Sequence, residues 1–340
     1  LEKVILSKDA NVTFGGAPFV GCTAFDTIEV AAGNTKFTVV NNLLYNIDKT
    51  VLELVPVGLA GSVTIESGVT ALGDSVFAGS ALTTINLNNV TSIGAYAFAD
   101  SAIESIDLTN VTSIGAYAFK DSKLKSVDLT GIEDIAAGTF MNCTDLATVT
   151  GLSSVVTIGD YAFMGCSALA NESARLTLVN VESIGKYAFA ESTIRSFTGR
   201  NVETIGAYAF ANTPNLKTVK FVKASSIGSH AFYNTYILEE AEFGAVTEMG
   251  DYAFAFTTYN ENTQLSQKTF KFATGTTEIG AYAFYGCTSL SSIDLSNLVK
   301  IGEGAFYGAV LPADLPAHPQ AHSDLLRCHG TARNSYGGRC

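Results

Sequence analysis

Positive charge is scarce in this chain, charge of either sign is thin, and no apolar run is long. Only 15% of the 340 residues are charged, with 20 Lys and Arg against 32 Asp and Glu, a net charge of −12. Phosphate backbones are bound by clustered Lys and Arg, so nucleic acid is excluded as a partner, and the same balance argues against docking on anionic lipid. No apolar stretch approaches the length that spans a bilayer. Histidine is nearly absent from the body of the chain, since three of the four lie beyond residue 310 and leave only His230. No Gly-x-Ser-x-Gly elbow, phosphate-cradling loop or zinc-protease motif occurs, so the groups that nucleophilic or acid–base catalysis needs are missing as a set. The reading is therefore of a non-enzyme with no cofactor. What remains is 47% apolar residues, enough for a long core. The surface must lean on Ser, Thr, Asn and Gly.

An internal period organises that apolar content. Phe77, Phe98, Phe119, Phe140, Phe163, Phe189, Phe210, Phe232, Phe254, Phe284 and Phe306 recur every 21 to 30 residues, and Phe19 reads as an earlier member, giving twelve units. Two residues before many of them stands Tyr: Tyr96, Tyr117, Tyr161, Tyr187, Tyr208, Tyr252 and Tyr282. Five before stands Ile or Met, usually followed by Gly, which the reading takes as a turn requirement. Upstream lies a short alternating run such as Ser105-Ile106-Asp107-Leu108, the mark of a half-buried strand. Ala116-Tyr117-Ala118-Phe119 reads as a short helical turn that drops Phe119 inside. One such unit cannot close a core, so the units must stack as a solenoid. The chain opens on Leu1 with no initiator Met and no signal-peptide pattern, so a leader is expected to have been removed. Leu1, Val4 and Leu6 already read as a strand, so an open first edge is expected.

The unit Leu/Ile-x-x-Ile-x-Leu-x-x-Val-x-x-Ile-Gly-x-x-Ala-Phe-x-x-Cys/Ser, nearly intact from Ile103 to Ser122 and from Leu290 to Phe306, resembles the BspA-like leucine-rich repeats. The resemblance covers residues 1–310. It implies a right-handed leucine-rich-repeat superhelix, β-rich, with short strands and short helical turns. Val90, Val111, Val181 and Val202 occupy the usual Asn ladder position, so the backbone-capping Asn ladder is expected to be missing. Residues 33–58 look like the hairpin insertion common in that family, and alternation on both sides of Asp48-Lys49-Thr50 supports a hairpin independently. The resemblance further implies a secreted or cell-surface location in bacteria or protists and partners among host, matrix or other cell-surface proteins. Beyond residue 310 the repeat stops. Residues 311–340 hold three of the six prolines and carry Arg327, Arg333 and Arg339 against Asp314 and Asp324, and read as a poorly packed tail.

Four sets of residues carry candidate chemistry. Cys22, Cys143, Cys166 and Cys287 lie three after the repeat Phe, where Ser or Thr stands elsewhere, and read as buried, reduced thiols. Stacked side chains pointing the same way make a Cys143–Cys166 disulfide awkward. His318, His322, Cys328 and His329 are weak zinc candidates, because Pro319 interrupts the spacing and no Cys-x-x-Cys pair exists. The outward strand column contains Asn86, Asp107, Asp128, Lys220, Glu242, Lys271 and Asp294. It is either a binding face or a solvated sheet face whose alternating charges pair across strands. Asp107 and Asp128 alone are few ligands for a cation. The Tyr column reads as half-buried packing with hydroxyls in water, and His230 as a packing substitute within it. The leading expectation is a secreted or surface module that binds a protein partner. A structural or self-associating role comes second, and glycan binding third, because the outward strand column has no aromatic residue.

Overall fold

In the computed structural model the described residues are 1–59, 63–169, 175–257, 269–287 and 297–309. The chain divides into two units, Leu1–Leu169 and Ala170–Cys340. Each is a stack of short coils, a solenoid built from the expected repeat.

A coil contributes two short strands. In unit 1 Ser105–Ile106 lies parallel to Thr84–Ile85, and Ser126–Asp128 to Thr148–Thr150. The second strands, Ala71–Leu72, Ser92–Ile93 and Ser113–Ile114, pair in the same sense, Leu72 on Ile93 on Ile114 and Ala71 on Ser92 on Ser113. In unit 2 five strands, Arg175–Leu178, Ser196–Gly199, Thr218–Phe221, Glu240–Phe243 and Thr269–Phe272, form one parallel sheet. The register places each residue over its equivalent one coil earlier, so inward Val, Ala and Phe stack inside while outward polar residues stack outside. At the start of unit 1 Phe37–Val40, Leu43–Asn46 and Val51–Leu54 make an antiparallel meander. Its first reversal puts Asn41 and Asn42 at φ 50° and 63°, the left-handed pair that a two-residue hairpin turn requires. Val51–Leu54 then pairs in parallel with Ala71–Leu72, joining the meander to the coil ladder.

The recurring phenylalanines are the core. In unit 1 the rings of Phe77, Phe98, Phe119, Phe140 and Phe163 follow one another at 5.1 to 5.5 Å. In unit 2 Phe189, Phe210, Phe232, Phe254, Phe284 and Phe306 stack at 5.0 to 5.4 Å. Unit 2 adds a second row, with Phe197 and Phe243 packing edge-on against the stack. Each ring is almost wholly buried, worth about 1.5–3 kcal/mol in transfer free energy. Phe19 differs: its ring packs on Phe14 and Phe25 in the N-terminal cluster.

The Ala-Tyr-Ala-Phe segment is not the expected helical turn. Tyr96, Tyr117, Tyr161, Tyr187, Tyr208, Tyr252 and Tyr282 all have φ between 53° and 61°, and so has His230. The residue two after Phe is left-handed as well, as at Asp100, Asp121, Asn142, Asn212 and Asn234. Two left-handed residues per coil break any helix, and among the described residues the only helical element is a 3₁₀ turn at Leu152–Ser154. The turn instead bonds to its neighbour. The N–H groups of Tyr96, Phe98 and Asp100 donate to the carbonyls of Ala116, Ala118 and Lys120 at 3.0, 2.7 and 2.8 Å. Tyr208, Phe210 and Asn212 do the same to Ser229, Ala231 and Tyr233. These donors all point to the following coil. On the strand side donors point back, as from Gly94 to Leu72 and from Gly115 to Ile93.

The glycine that follows each repeat Ile except Ile135, where Ala136 stands, is required for contact, not for a turn. Gly94, Gly115, Gly206 and Gly228 do not have positive φ. A Cβ on Gly115 would sit 2.6 Å from the Ala95 nitrogen, and one on Gly94 2.7 Å from the Asp74 nitrogen. Backbone approaches backbone there, and nothing flexible yields. Gly115→Ala is expected to destabilise the fold by about 1–3 kcal/mol, the usual cost of overpacking. The urea midpoint measures it, and an unchanged midpoint contradicts this account of the column.

Candidate binding surface

The outward column sits at the end of the first strand of each coil. Asn86, Asp107 and Asp128 are exposed in unit 1. Each closes a small turn onto the residue two ahead. The Asn86 Oδ1 accepts the Asn88 N–H at 2.9 Å. The Asp107 Oδ1 accepts the Thr109 N–H at 2.9 Å and its hydroxyl at 2.6 Å. Asp128 does the same with Thr130 at 3.0 and 2.7 Å. Hydroxyl first and backbone N–H second, these donors hold both carboxyls below the ordinary carboxylate range. Such side-chain-to-backbone bonds end the strand, so these residues have a structural role as well as an exposed position. Gly151 of the next coil rests directly on the Asp128–Thr130 turn, where a Cβ would strike the Asp128 Oδ1 and the Thr130 nitrogen.

Asn86 and Asp107 come together with Asn88, Thr109 and Asn110 around a notch of about 30 Å³. A space of that size holds a water or two and nothing larger. Among the described residues no three His, Cys, Asp or Glu side chains converge as metal ligands.

In unit 2 Lys220 stands opposite Glu242, and Glu242 opposite Lys271, along the parallel sheet. The ion pair that Lys220 makes is diagonal, to Glu240 at 3.1 Å, a partner outside the expected column. The outward face is two residues wide, and a lysine reaches either. Exposed pairs of this kind contribute under about 1 kcal/mol. Of the Lys271 side chain nothing is described, and Asp294, His318, His322, Cys328 and His329 lie outside the described residues.

An asparagine ladder, expected to be missing, is present one position earlier than the usual one. The Asn89, Asn110 and Asn201 amides donate to the carbonyls of Ser67, Asn88 and Val179 in the preceding coil, at 3.1, 3.1 and 2.8 Å. The Val that follows each takes the buried site, and the Asn caps the backbone from outside.

The column three after Phe also has a bonding role. Ser101, Ser192, Thr213 and Thr235 donate to the carbonyl of the Phe in their own coil at 2.6 to 2.8 Å. Cys143, Cys166 and Cys287 are buried thiols, not disulfides, and they reach back to the Phe119, Phe140 and Phe254 carbonyls of the preceding coils. Burial pushes the Cys143 thiol up to about 12, so it is inert.

The Tyr column is half-buried and stacked. Tyr96 lies on Tyr117 at 5.0 Å in unit 1. In unit 2 Tyr187, Tyr208, His230, Tyr252 and Tyr282 form a run of five rings at 4.5 to 5.1 Å. His230 substitutes for Tyr within it, and its Nδ1 is buried without a partner among the described residues.

Parallel coils with an Ile, Phe and Leu interior and a polar outer column define a leucine-rich-repeat solenoid. Residues 60–170 and 261–313 match the BspA type leucine rich repeat region, in 6 copies. Over those residues the chain carries BspA-type leucine-rich repeats. A leucine-rich repeat protein from Eubacterium ventriosum ATCC 27560 is 27% identical over 57% of this chain and 59% of its own, with a TM-score of 0.43. This chain thus spans about three fifths of that protein's length. A leucine-rich repeat protein from Bacteroides ovatus ATCC 8483 is 23% identical over 85% of this chain and 88% of its own, with a TM-score of 0.44. A leucine rich cell surface protein from Faecalibacterium prausnitzii A2-165 is 19% identical over 72% of this chain and 96% of its own, with a TM-score of 0.33. No curated protein matches the chain.

Desolvation lowers the His230 pKa, against a weaker opposing effect of Asp251. A His whose folded pKa is depressed binds its proton more readily in the unfolded chain, so stability rises with pH across that range. As pH falls below the unfolded value of about 6.5, His230 should cost stability. His230→Tyr, which restores the column residue, is expected to flatten the fall in melting temperature between pH 7 and pH 5. An unaltered pH profile would show that the imidazole is not the group responsible.

Proposed function

We propose that this chain is a non-catalytic binding module, displayed on a cell surface or secreted, that recognises a protein partner through its outward strand column. One observation carries the reading: the outward residues repeat at the spacing of the coils and are fixed by their own turns. Asp107 and Asp128 spend no entropy finding their rotamers, because Thr109 and Thr130 already hold them. A partner laid along the coils meets a preorganised polar row, which lowers the ordering cost of binding. No helix among the described residues is long and apolar enough to cross a membrane. Surface plasmon resonance against host matrix and epithelial proteins is the test. Asp107→Lys with Asp128→Lys is expected to weaken the captured partner at least about tenfold, as reversed charges at an interface do. Unchanged binding by that variant removes the column from the site.

A second reading, association between copies, is favoured by the N-terminal strand Lys3–Leu6. Its Ile5 is 63% exposed, and the adjoining Leu1 is 61% exposed. Apolar side chains on an exposed strand favour pairing with another chain. If copies associate there, light scattering will show mass rising with concentration and Ile5→Lys will abolish the rise. A concentration-independent mass rejects this reading.

A further inference from the structure

We propose that the turn face of four coils in unit 2 is a docking surface for an arginine-bearing segment of a protein partner. This rests on the binding role above and gives it a second face and a partner chemistry.

The segments concerned are Gly228–Asn234, Gly250–Phe256, Gly280–Gly286 and Gly302–Gly308. Besides the buried phenylalanine of each coil they carry His230, Tyr233, Tyr252, Phe256, Tyr282, Tyr285 and Tyr307. Their charged residues are Asp251 and Glu303, both exposed, and they contain no Lys or Arg. The corresponding segment two coils before the first of these differs, with Lys186 beside Tyr187. Within these segments aromatic density and negative charge without a Lys or Arg therefore coincide.

The ring geometry suits a planar cation. In the main stack the rings face one another and offer only edges. The adjacent row is tipped out of it. Phe256 stands at 86° to Tyr233 and at 89° to Tyr285, and Tyr233 is tilted 54° from His230. Tyr307 stacks on Tyr285 and is 49% exposed. A guanidinium lies flat against such rings and donates two parallel hydrogen bonds to a carboxylate, whereas an ammonium does neither as well. The two carboxylates are held in place, since the Asp251 Oδ1 accepts the Ala281 N–H at 2.8 Å and the Glu303 Oε1 accepts the Tyr282 hydroxyl at 3.3 Å. Tyrosine and arginine are both enriched at the energetic centres of protein interfaces.

The experiment titrates the full chain against a fluorescent peptide of alternating Arg and Gly, and against its Lys counterpart, by anisotropy at physiological salt. The Arg peptide is expected to bind several-fold more tightly than the Lys peptide. Asp251→Asn with Glu303→Gln is expected to weaken it about tenfold, because the carboxylate partners are lost. Both amides keep the oxygen that Ala281 and Tyr282 use, so the coils stay intact. Tyr285→Ser should weaken it too, and Asp107→Asn with Asp128→Asn should leave it unchanged. Absence of saturable binding, equal affinity for the Lys peptide, or an equal loss from the Asp107 and Asp128 pair overturns the proposal. A partner captured in the surface screen whose binding needs Asp107 but not Asp251 would sink this face alone and leave the strand-column reading standing.

Discussion

The close approach of successive coils governs everything else in this protein. Backbone hydrogen bonds on both the strand side and the turn side hold neighbouring coils at strand spacing, about 4.8 Å. That distance leaves room for a flat ring over a flat ring and for nothing bulkier between. The stacked phenylalanines of each unit, at 5.0 to 5.5 Å, satisfy it. At Gly94 and Gly115 even a methyl group meets the backbone of the preceding coil. In-register stacking of like residues is therefore a geometric demand before it is an energetic preference.

That demand falls on the inside and spares the outside. An inward residue must match its equivalent one coil away, whereas an outward one needs only to avoid a clash. Hence Phe98, Phe119 and Phe140 are identical, while Asn86, Asp107, Asp128 and Thr150 differ along one column. The polar residues nearest the backbone keep a constraint of their own. Asn89 and Asn110 cap carbonyls, and Ser101 and Cys143 cap others, so their identities are limited to small donors. Chemical variety is thus pushed to the outward strand column and the turn face, where the fold does not depend on it.

The repeat was legible because Phe, Ile and Gly recur at spacings no chance process gives. The inward strand residues followed from alternation alone. The turn was not legible, and the reason is local. Ala-Tyr-Ala-Phe is built from residues that tolerate helix, and tyrosine is not a residue from which left-handed backbone is expected. A signal was present two positions after Phe, where Asp100, Asp121, Asn142, Asn212 and Asn234 are the short polar types that enter the left-handed region most readily. The Asn ladder was missed for a similar reason. The usual position holds Val, and the capping amides of Asn89 and Asn110 reach the same kind of carbonyl from one residue earlier. Of the outward column, sequence gave the exposure of Asp107 and Asp128. It did not give their bonds to Thr109 and Thr130, which depend on where each strand stops.

Tyrosine at a left-handed position is the one choice that stability does not explain. Holding a non-glycine residue there costs about 1–3 kcal/mol. Stacking one ring on the next returns about 0.5–1.5 kcal/mol. The two nearly cancel, so the fold gains little from a tyrosine over a glycine at this site. Gly138 and Gly304 fill the same slot, and in each case the preceding ring, Tyr117 or Tyr282, lies where a side chain would have been. Glycine is therefore sufficient for the turn. What tyrosine adds lies on the solvent side of the coil, in ring edges and hydroxyls set in a row. In unit 2 that row runs on from Lys186 beside Tyr187 into coils whose turn segments hold no lysine and carry Asp251 and Glu303. A surface whose composition the fold does not dictate, concentrated in one aromatic and acidic place, is what recognition of a cationic partner requires.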